Sequence, residues 1–224
     1  YIEWTGSELN ETVTITADSS GMITLYSGTQ PMGQGIATSY LQIFSEQLQI
    51  PVKQLKVVQG DTDLVEGHGS VGSRSLFVGG NAILRGIQDF LEECKQLAAS
   101  ELEASVDDLE YHQGNFQVKG TRVGIGIFDL CSRQSSNSIS VKRKKELTGR
   151  SWPNGCHVAE VEIDAETGEV RLDRYVSVDD VGNTVNPMIV HGQVQGGIAS
   201  GLGQAVLERT EYDASGQLLS GSYM

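Results

Sequence analysis

The chain has 224 residues, a formal net charge of −13 and a pI near 4.6. Such acidity argues against nucleic acid as the main partner, because phosphate backbones are held by basic faces. Apolar residues make up 38% and the mean hydropathy is −0.20, ordinary for a globular domain, and no apolar run approaches the length of a membrane span.

The first third reads as a hairpin, a glycine loop and a helix. Glu11 to Thr16 alternates like a strand, Asp18-Ser19-Ser20-Gly21 is a turn, and Met22 to Ser27 returns. Pro31-Met32-Gly33-Gln34-Gly35-Ile36-Ala37-Thr38 follows, and Ile36, Tyr40, Phe44 and Leu48 then recur on one helical face that ends before Pro51. Lys53 to Gln59 reads as a strand. Gly60-Asp61-Thr62-Asp63 turns the chain into a polar, glycine-rich segment ending at Ser75. The second helix is long, with Ala82, Ile83, Ile87, Phe90, Leu91, Cys94, Leu97, Ala98 and Leu102 at three- and four-residue steps.

A short hairpin is expected at Leu109 to Val118, turning at Gln113-Gly114-Asn115. Thr121 to Leu130 fits a short helix or a strand equally well. Ser132 to Ser140 is polar and reads as a surface connection, and the basic run Lys142-Arg143-Lys144-Lys145 as a solvated edge. The last third repeats the plan of the first: a strand at Val158 to Ile163, a turn at Asp164 to Gly168, and a return at Glu169 to Val178. Asn186-Pro187 then starts a helix running to about Glu208. One domain over 1–224 is expected, with lobes 1–131 and 150–224 joined by the polar connection 132–149.

Three stretches point to a ligand. In 31–38 the glycines sit where a strand hands over to a helix start, where backbone N–H groups and the helix dipole favour an anion. Gly69-Ser70-Val71-Gly72-Ser73-Arg74-Ser75 precedes the second helix and adds hydroxyls and a guanidinium. Gly192-Gln193-Val194-Gln195-Gly196-Gly197 brings amides to a helix rich in glycine. Together they suggest a large ligand with phosphates at one end and a hydrogen-bonding heterocycle at the other. Each has a plainer reading: a tight turn, a salt bridge at a helix start for Arg74, close helix packing for the last.

Other residues carry less. Cys94, Cys131 and Cys156 are scattered, with no Cys-x-x-Cys, so neither a zinc site nor a disulfide framework is implied, and a reducing cytoplasm is the expected location. Cys94 falls on an apolar helix face and reads as core. Asp179 and Asp180 look like a catalytic pair, but neighbours on a strand point to opposite faces, so loop hydrogen bonding is the better expectation. Gly33-Gln34-Gly35 is followed by Ile36-Ala37 rather than the third glycine of a dinucleotide fingerprint. The start at Tyr1 and the stop at Met224 suggest part of a longer polypeptide.

In order and spacing, Met-Gly-Gln-Gly-x-x-Thr at 32–38, Gly60-Asp61-Thr62 with Gly72-Ser73-Arg74, and Asp179-Asp180-Val181-Gly182 with Asn186-Pro187 and Gly192-Gln193 resemble the molybdenum hydroxylases. That family includes xanthine dehydrogenase, aldehyde oxidoreductase and carbon monoxide dehydrogenase. The resemblance covers nearly the whole chain and corresponds to the second molybdopterin-binding domain of the large subunit. It implies an α+β fold of β-hairpins and mixed sheets packed with long helices, in two similar strand–loop–helix units. It also implies a molybdenum–pyranopterin cofactor, as the cytosine dinucleotide. Met32, Gly33, Gln34 and Gly35 would contact the pterin and phosphate region, Gly72, Ser73 and Arg74 would wrap the pyrophosphate or nucleotide, and Gln193 would bond the pterin. The metal's direct ligands would come from the cofactor, so no protein metal ligands are expected.

The implied reaction is hydroxylation of a purine, N-heterocycle or aldehyde with water as the oxygen source. The implied partners are the N-terminal half of the same subunit, 2Fe-2S clusters and FAD on other domains or subunits, and a small-molecule substrate. The family's general-base glutamate lies in a Gly-x-Gly-Glu motif that this chain lacks, so no catalytic residue is expected here and the piece alone is expected to be inactive. The alternatives are a non-catalytic nucleotide- or phosphate-binding module using the same loops, or a degenerate paralogue.

Overall fold

A computed structural model describes residues 1–221. The chain divides into two units, one spanning Ile2–Pro153 and the other Asn154 onward together with Tyr1.

In the first unit β1 (Asn10–Asp18) and β2 (Ile23–Ser27) form the expected hairpin. Every second residue of β1 is buried, from Glu11 through Val13, Ile15 and Ala17. Helix α1 (Ile36–Leu48) crosses over to β3 (Leu55–Gln59), which pairs parallel with β2. Parallel neighbours need such a crossover, because a tight turn only reverses the chain.

A π-helical turn at Ser75–Gly79 opens α2 (Gly80–Glu101). Then come β4 (Leu109–His112), β5 (Asn115–Val118), β6 (Gly124–Gly126), α3 (Ile127–Arg133) and β7 (Ser138–Glu146). The four-stranded sheet has the order β3-β2-β1-β7, and β4-β5-β6 form a second, antiparallel sheet.

Helices α1, α2 and α3 pack on the larger sheet. Val13, Ile15, Ile23, Leu25, Tyr40, Phe44, Ile83, Phe90, Cys94 and Leu130 are fully enclosed between them. Gly86 lets α2 approach closely, since a methyl there would stand 2.8 Å from Val13 Cγ2. Cys94 is core, as its helix face indicates.

One expectation needs correction, and one open choice is resolved. The stretch 132–149 is not a mere connection, because Ser138–Glu146 is a full strand paired residue for residue with β1. Pairing with β1 satisfies its backbone groups on one side, which outweighs its poor apolar alternation. The basic run does lie on an edge strand. The ambiguous stretch 121–130 holds both structures, β6 and then the start of α3.

In the second unit β8 (Asn154–Ile163) and β9 (Val170–Asp180) form a long antiparallel ladder with a bulge at Glu160/Val161. Helix α4 (Pro187–Val206) follows, with the Asn186 side chain accepting from the Ile189 N–H at 3.1 Å as its N-cap. None of the residues of α4 is buried, and Val158, Val176 and Val178 of the ladder stand exposed. Among the described residues, no helix is long and apolar enough to cross a membrane.

Candidate cofactor-binding site

The two glycine loops of the first unit lie against each other. Gly69 N–H donates to the Gly28 carbonyl at 3.0 Å. Ser70 Oγ donates to the Gln30 carbonyl at 2.7 Å and accepts from the Gln30 N–H at 3.0 Å. Ser75 Oγ in turn donates to Ser70 Oγ at 2.7 Å. Beneath them, Tyr40 donates to the Ser75 carbonyl at 2.5 Å, and Gln59 Nε2 donates to Thr29 Oγ1 at 2.6 Å. Strand β3, helix α1 and the start of α2 therefore all hold one loop pair. Burial pushes the Tyr40 phenol up to about 12, so it stays a neutral donor.

The first loop presents backbone. Met32 is 62% exposed, and Gly33, at φ +86°, has no atom within 4 Å of where a Cβ would sit. Gly35, at φ +75°, is the N-cap of α1, and no side chain caps that helix. The first-turn N–H groups of a helix have no intrahelical acceptor, so this end suits an anion. No acidic residue occupies the first turn to oppose one. Gln34 braces the loop from within: Nε2 donates to the Gln30 carbonyl at 2.9 Å and Oε1 accepts from the Met32 N–H at 2.6 Å.

The second loop is tightly shaped. Gly72 and Ser73 are both left-handed, at φ +55° and +54°. The Gly72 carbonyl accepts from the Gly6 N–H at 3.0 Å, and a methyl on Gly72 would meet Ser7 Cβ at 2.6 Å. Both residues are exposed.

Arg74 is not. It is fully buried, and its Nη1 donates to Glu11 Oε2 at 2.7 Å. The rest of the fork is taken by the Gly69, Asn10 and Glu8 carbonyls. Of the two local readings of Arg74, ion pair or anion ligand, the geometry shows the ion pair.

Glu11 went unnoticed in the sequence. The signal was there: it shares the buried phase of Val13, Ile15 and Ala17, and a carboxylate on a buried face requires a partner.

Gln193 lies in the second unit, exposed on the second turn of α4. Around it, Gly192, Gly196, Gly197 and Gly201 have no atom within 4 Å of an added Cβ among the described residues. Their small size therefore serves no helix packing within the described residues of the second unit.

Asp179 and Asp180 behave as hydrogen-bond anchors. Asp179 accepts from His157 Nε2 at 2.9 Å and from the Tyr1 hydroxyl at 3.0 Å. Its carboxyl is held below the usual range, chiefly by the His157 bond. Asp180 accepts from the Gly182 N–H at 3.0 Å. Among the described residues no group of three His, Cys, Asp or Glu could hold a metal ion. The donor set fits a ligand carrying phosphate and hydrogen-bonding groups: backbone amides at an uncapped helix start, beside two glycine loops and exposed serine.

A family model described as "Molybdopterin cofactor-binding domain" matches residues 1–224. The 6-hydroxypseudooxynicotine dehydrogenase complex subunit gamma of Paenarthrobacter nicotinovorans is 31% identical over 98% of this chain and 29% of its own length. The structure of carbon monoxide dehydrogenase from Oligotropha carboxidovorans superposes with a TM-score of 0.86, at 27% identity, over 99% of this chain and 30% of that one. Quinoline 2-oxidoreductase from Pseudomonas putida 86 gives 0.83 at 29% identity, over 98% and 31%. The chain thus spans under a third of the length of these relatives. From Tyr1 to Met224, it belongs to the molybdopterin cofactor-binding domains of the molybdenum hydroxylase family.

Proposed function

We propose that this chain is the part of a molybdenum hydroxylase large subunit that cradles the phosphate and pterin portions of the cofactor. The observation that carries this is the stitched pair of loops 28–35 and 66–75 beside the uncapped start of α1, in a chain that matches the family from end to end. Backbone of Met32, Gly33 and Gly35 and the first-turn amides of α1 bind the anionic part. Gly72 and Ser73 wrap the nucleotide side of a cytosine dinucleotide form, and Gln193 bonds the heterocycle. Gln34 keeps the first loop in shape.

When bound, the molybdenum centre supplies two-electron oxidation of a carbon centre with water as the source of oxygen. This chain's residues bind and orient the group. None of them is assigned as the acid or base. The substrate is a small N-heterocycle, purine or aldehyde, and the names of two relatives, acting on quinoline and on a hydroxylated pseudooxynicotine, favour nitrogen-containing aromatics. Electrons leave through iron–sulfur and flavin partners.

The test uses the full-length protein from a host able to build the cofactor. Metal content is assayed together with the pterin and nucleotide released on denaturation. Molybdenum with a pterin is expected, and a cytosine nucleotide with it. Protein carrying neither metal nor pterin would overturn the reading, while a pterin without a cytosine nucleotide would overturn the dinucleotide form alone.

A further inference from the structure

We propose that Glu11 and Arg74 act as one positioning unit for the cofactor: the buried pair sets the backbone of loop 66–75, and Arg74 is not itself an anion ligand. This rests on the function proposed above.

The guanidinium makes four hydrogen bonds inside the protein. Nη1 donates to Glu11 Oε2 at 2.7 Å and to the Gly69 carbonyl at 2.6 Å, Nη2 to the Asn10 carbonyl at 2.6 Å, and Nε to the Glu8 carbonyl at 3.2 Å. These acceptors come from two separate segments, the entry to β1 and the glycine loop, so one rigid side chain fixes their spacing. Glu11 is 1% exposed, and its second oxygen accepts from the Thr12 N–H at 3.0 Å. The Gly69 peptide is clamped on both sides: its carbonyl by Arg74, its N–H by the Gly28 carbonyl of the first loop.

The backbone of Arg74 extends the same grip. Its carbonyl accepts from the Val78 and Gly79 N–H groups at 2.7 and 3.4 Å, which starts the π-turn into α2. Immediately before it stand the two left-handed residues Gly72 and Ser73. A serine stays left-handed only where its surroundings hold it there, and Arg74 is its neighbour in chain.

Chemistry separates positioning from direct binding. A phosphate ligand can be arginine or lysine, since lysine serves as a point charge. A planar fork reaching three carbonyls and a carboxylate has no lysine equivalent. To reach a phosphate, Arg74 would have to abandon Glu11 as an unpaired buried charge, which is strongly disfavoured.

The experiment compares Glu11→Gln, Arg74→Lys and the double variant Glu11→Leu/Arg74→Met in the full-length protein from a cofactor-building host. Molybdenum and released nucleotide per polypeptide are measured, with the thermal midpoint of cofactor-free protein alongside. Each single variant is expected to lose about tenfold in cofactor occupancy, as removal of a supporting partner does at metal sites. The double variant, with no unpaired charge, is expected to regain most of the lost thermal midpoint while its occupancy stays about tenfold down.

Two outcomes overturn the inference. Full occupancy in Glu11→Gln with loss in the Arg74 variant would make Arg74 a direct ligand. Full occupancy in the double variant would make the pair purely structural, and that variant decides the matter if the single ones do not fold. Wild-type protein without cofactor would instead overturn the function proposed above.

Discussion

Gly28 and Gly67 touch backbone to backbone. A methyl added to Gly28 would stand 2.5 Å from Gly67 Cα, and one added to Gly67 would stand 2.4 Å from Gly28 Cα. Neither contact can relax by turning a side chain. Gly28→Ala and Gly67→Ala are each expected to destabilise the protein by about 1–3 kcal/mol and to lower cofactor occupancy, because the loops must part. Chemical denaturation and molybdenum content check this, and a change within about 0.5 kcal/mol would show that the loops part freely.

Tyr40 and Gly79 are a second such couple. A methyl on Gly79 would sit 2.0 Å from the Tyr40 hydroxyl. Gly79→Ala should therefore destabilise the protein strongly. Tyr40→Phe should cost about 1 kcal/mol through the lost bond to the Ser75 carbonyl. The double variant should be more stable than the sum of the two predicts, since the hydroxyl contact is then gone and the nearest ring atom is Cζ at 3.0 Å; strict additivity would show that the hydroxyl clash is not the cause.

The same tyrosine predicts alkaline behaviour. Its folded pKa, about 12, lies above the ordinary value of 10.0 because burial disfavours the phenolate. The stabilisation is thus complete below pH 10.0 and disappears as pH rises toward about 12. Tyr40→Phe should flatten stability against pH in that window only, as urea denaturation would read.

The regular elements were legible from periodicity and punctuation. Tyr40, Phe44 and Leu48 marked α1, and Asn186-Pro187 marked the start of α4 where it is found. β7 was harder to read, because lysines and an arginine replace alternation and its partner β1 lies far away in sequence. The glycine loops announced a ligand by composition, but nothing local says which way an arginine at a loop end points. Only Glu11, in phase with Val13 and Ile15, hinted that Arg74 turns inward.

Asp179 gives the acid counterpart to Tyr40. Its carboxyl is held low by the His157 bond first, with Tyr1 adding to it. The contribution is therefore present above about pH 4 and is lost as pH falls through the lowered folded value. Amide protection factors at Cys156–His157 and Val178–Asp179 should fall between neutral and acidic pH in the wild type. In Asp179→Asn they should hardly change; an equal fall in both would assign the loss to other carboxylates.

The glycines of α4 predict a change of sign with context. Each costs about 1 kcal/mol against alanine in a helix, and a methyl added at Gly196 or Gly197 would meet no atom within 4 Å beyond the helix's own backbone among the described residues. In the 224-residue chain, Gly196→Ala and Gly197→Ala should raise amide protection along α4. In the full-length protein carrying cofactor the same changes should lower occupancy, if those glycines seat a ligand. Equal benefit in both settings would leave them without a role in binding.

The long register between β1 and β7 has a consequence for synthesis. Residues 10–18 are made well before residues 138–146, which close one side of that strand. Until then that side of β1 is an open edge, because the strand that covers it has yet to be made. Closing so wide a loop is entropically slow. The growing chain therefore carries an unpaired strand edge through the interval between those two stretches, and chaperone dependence should concentrate there, ending once Glu146 has left the ribosome.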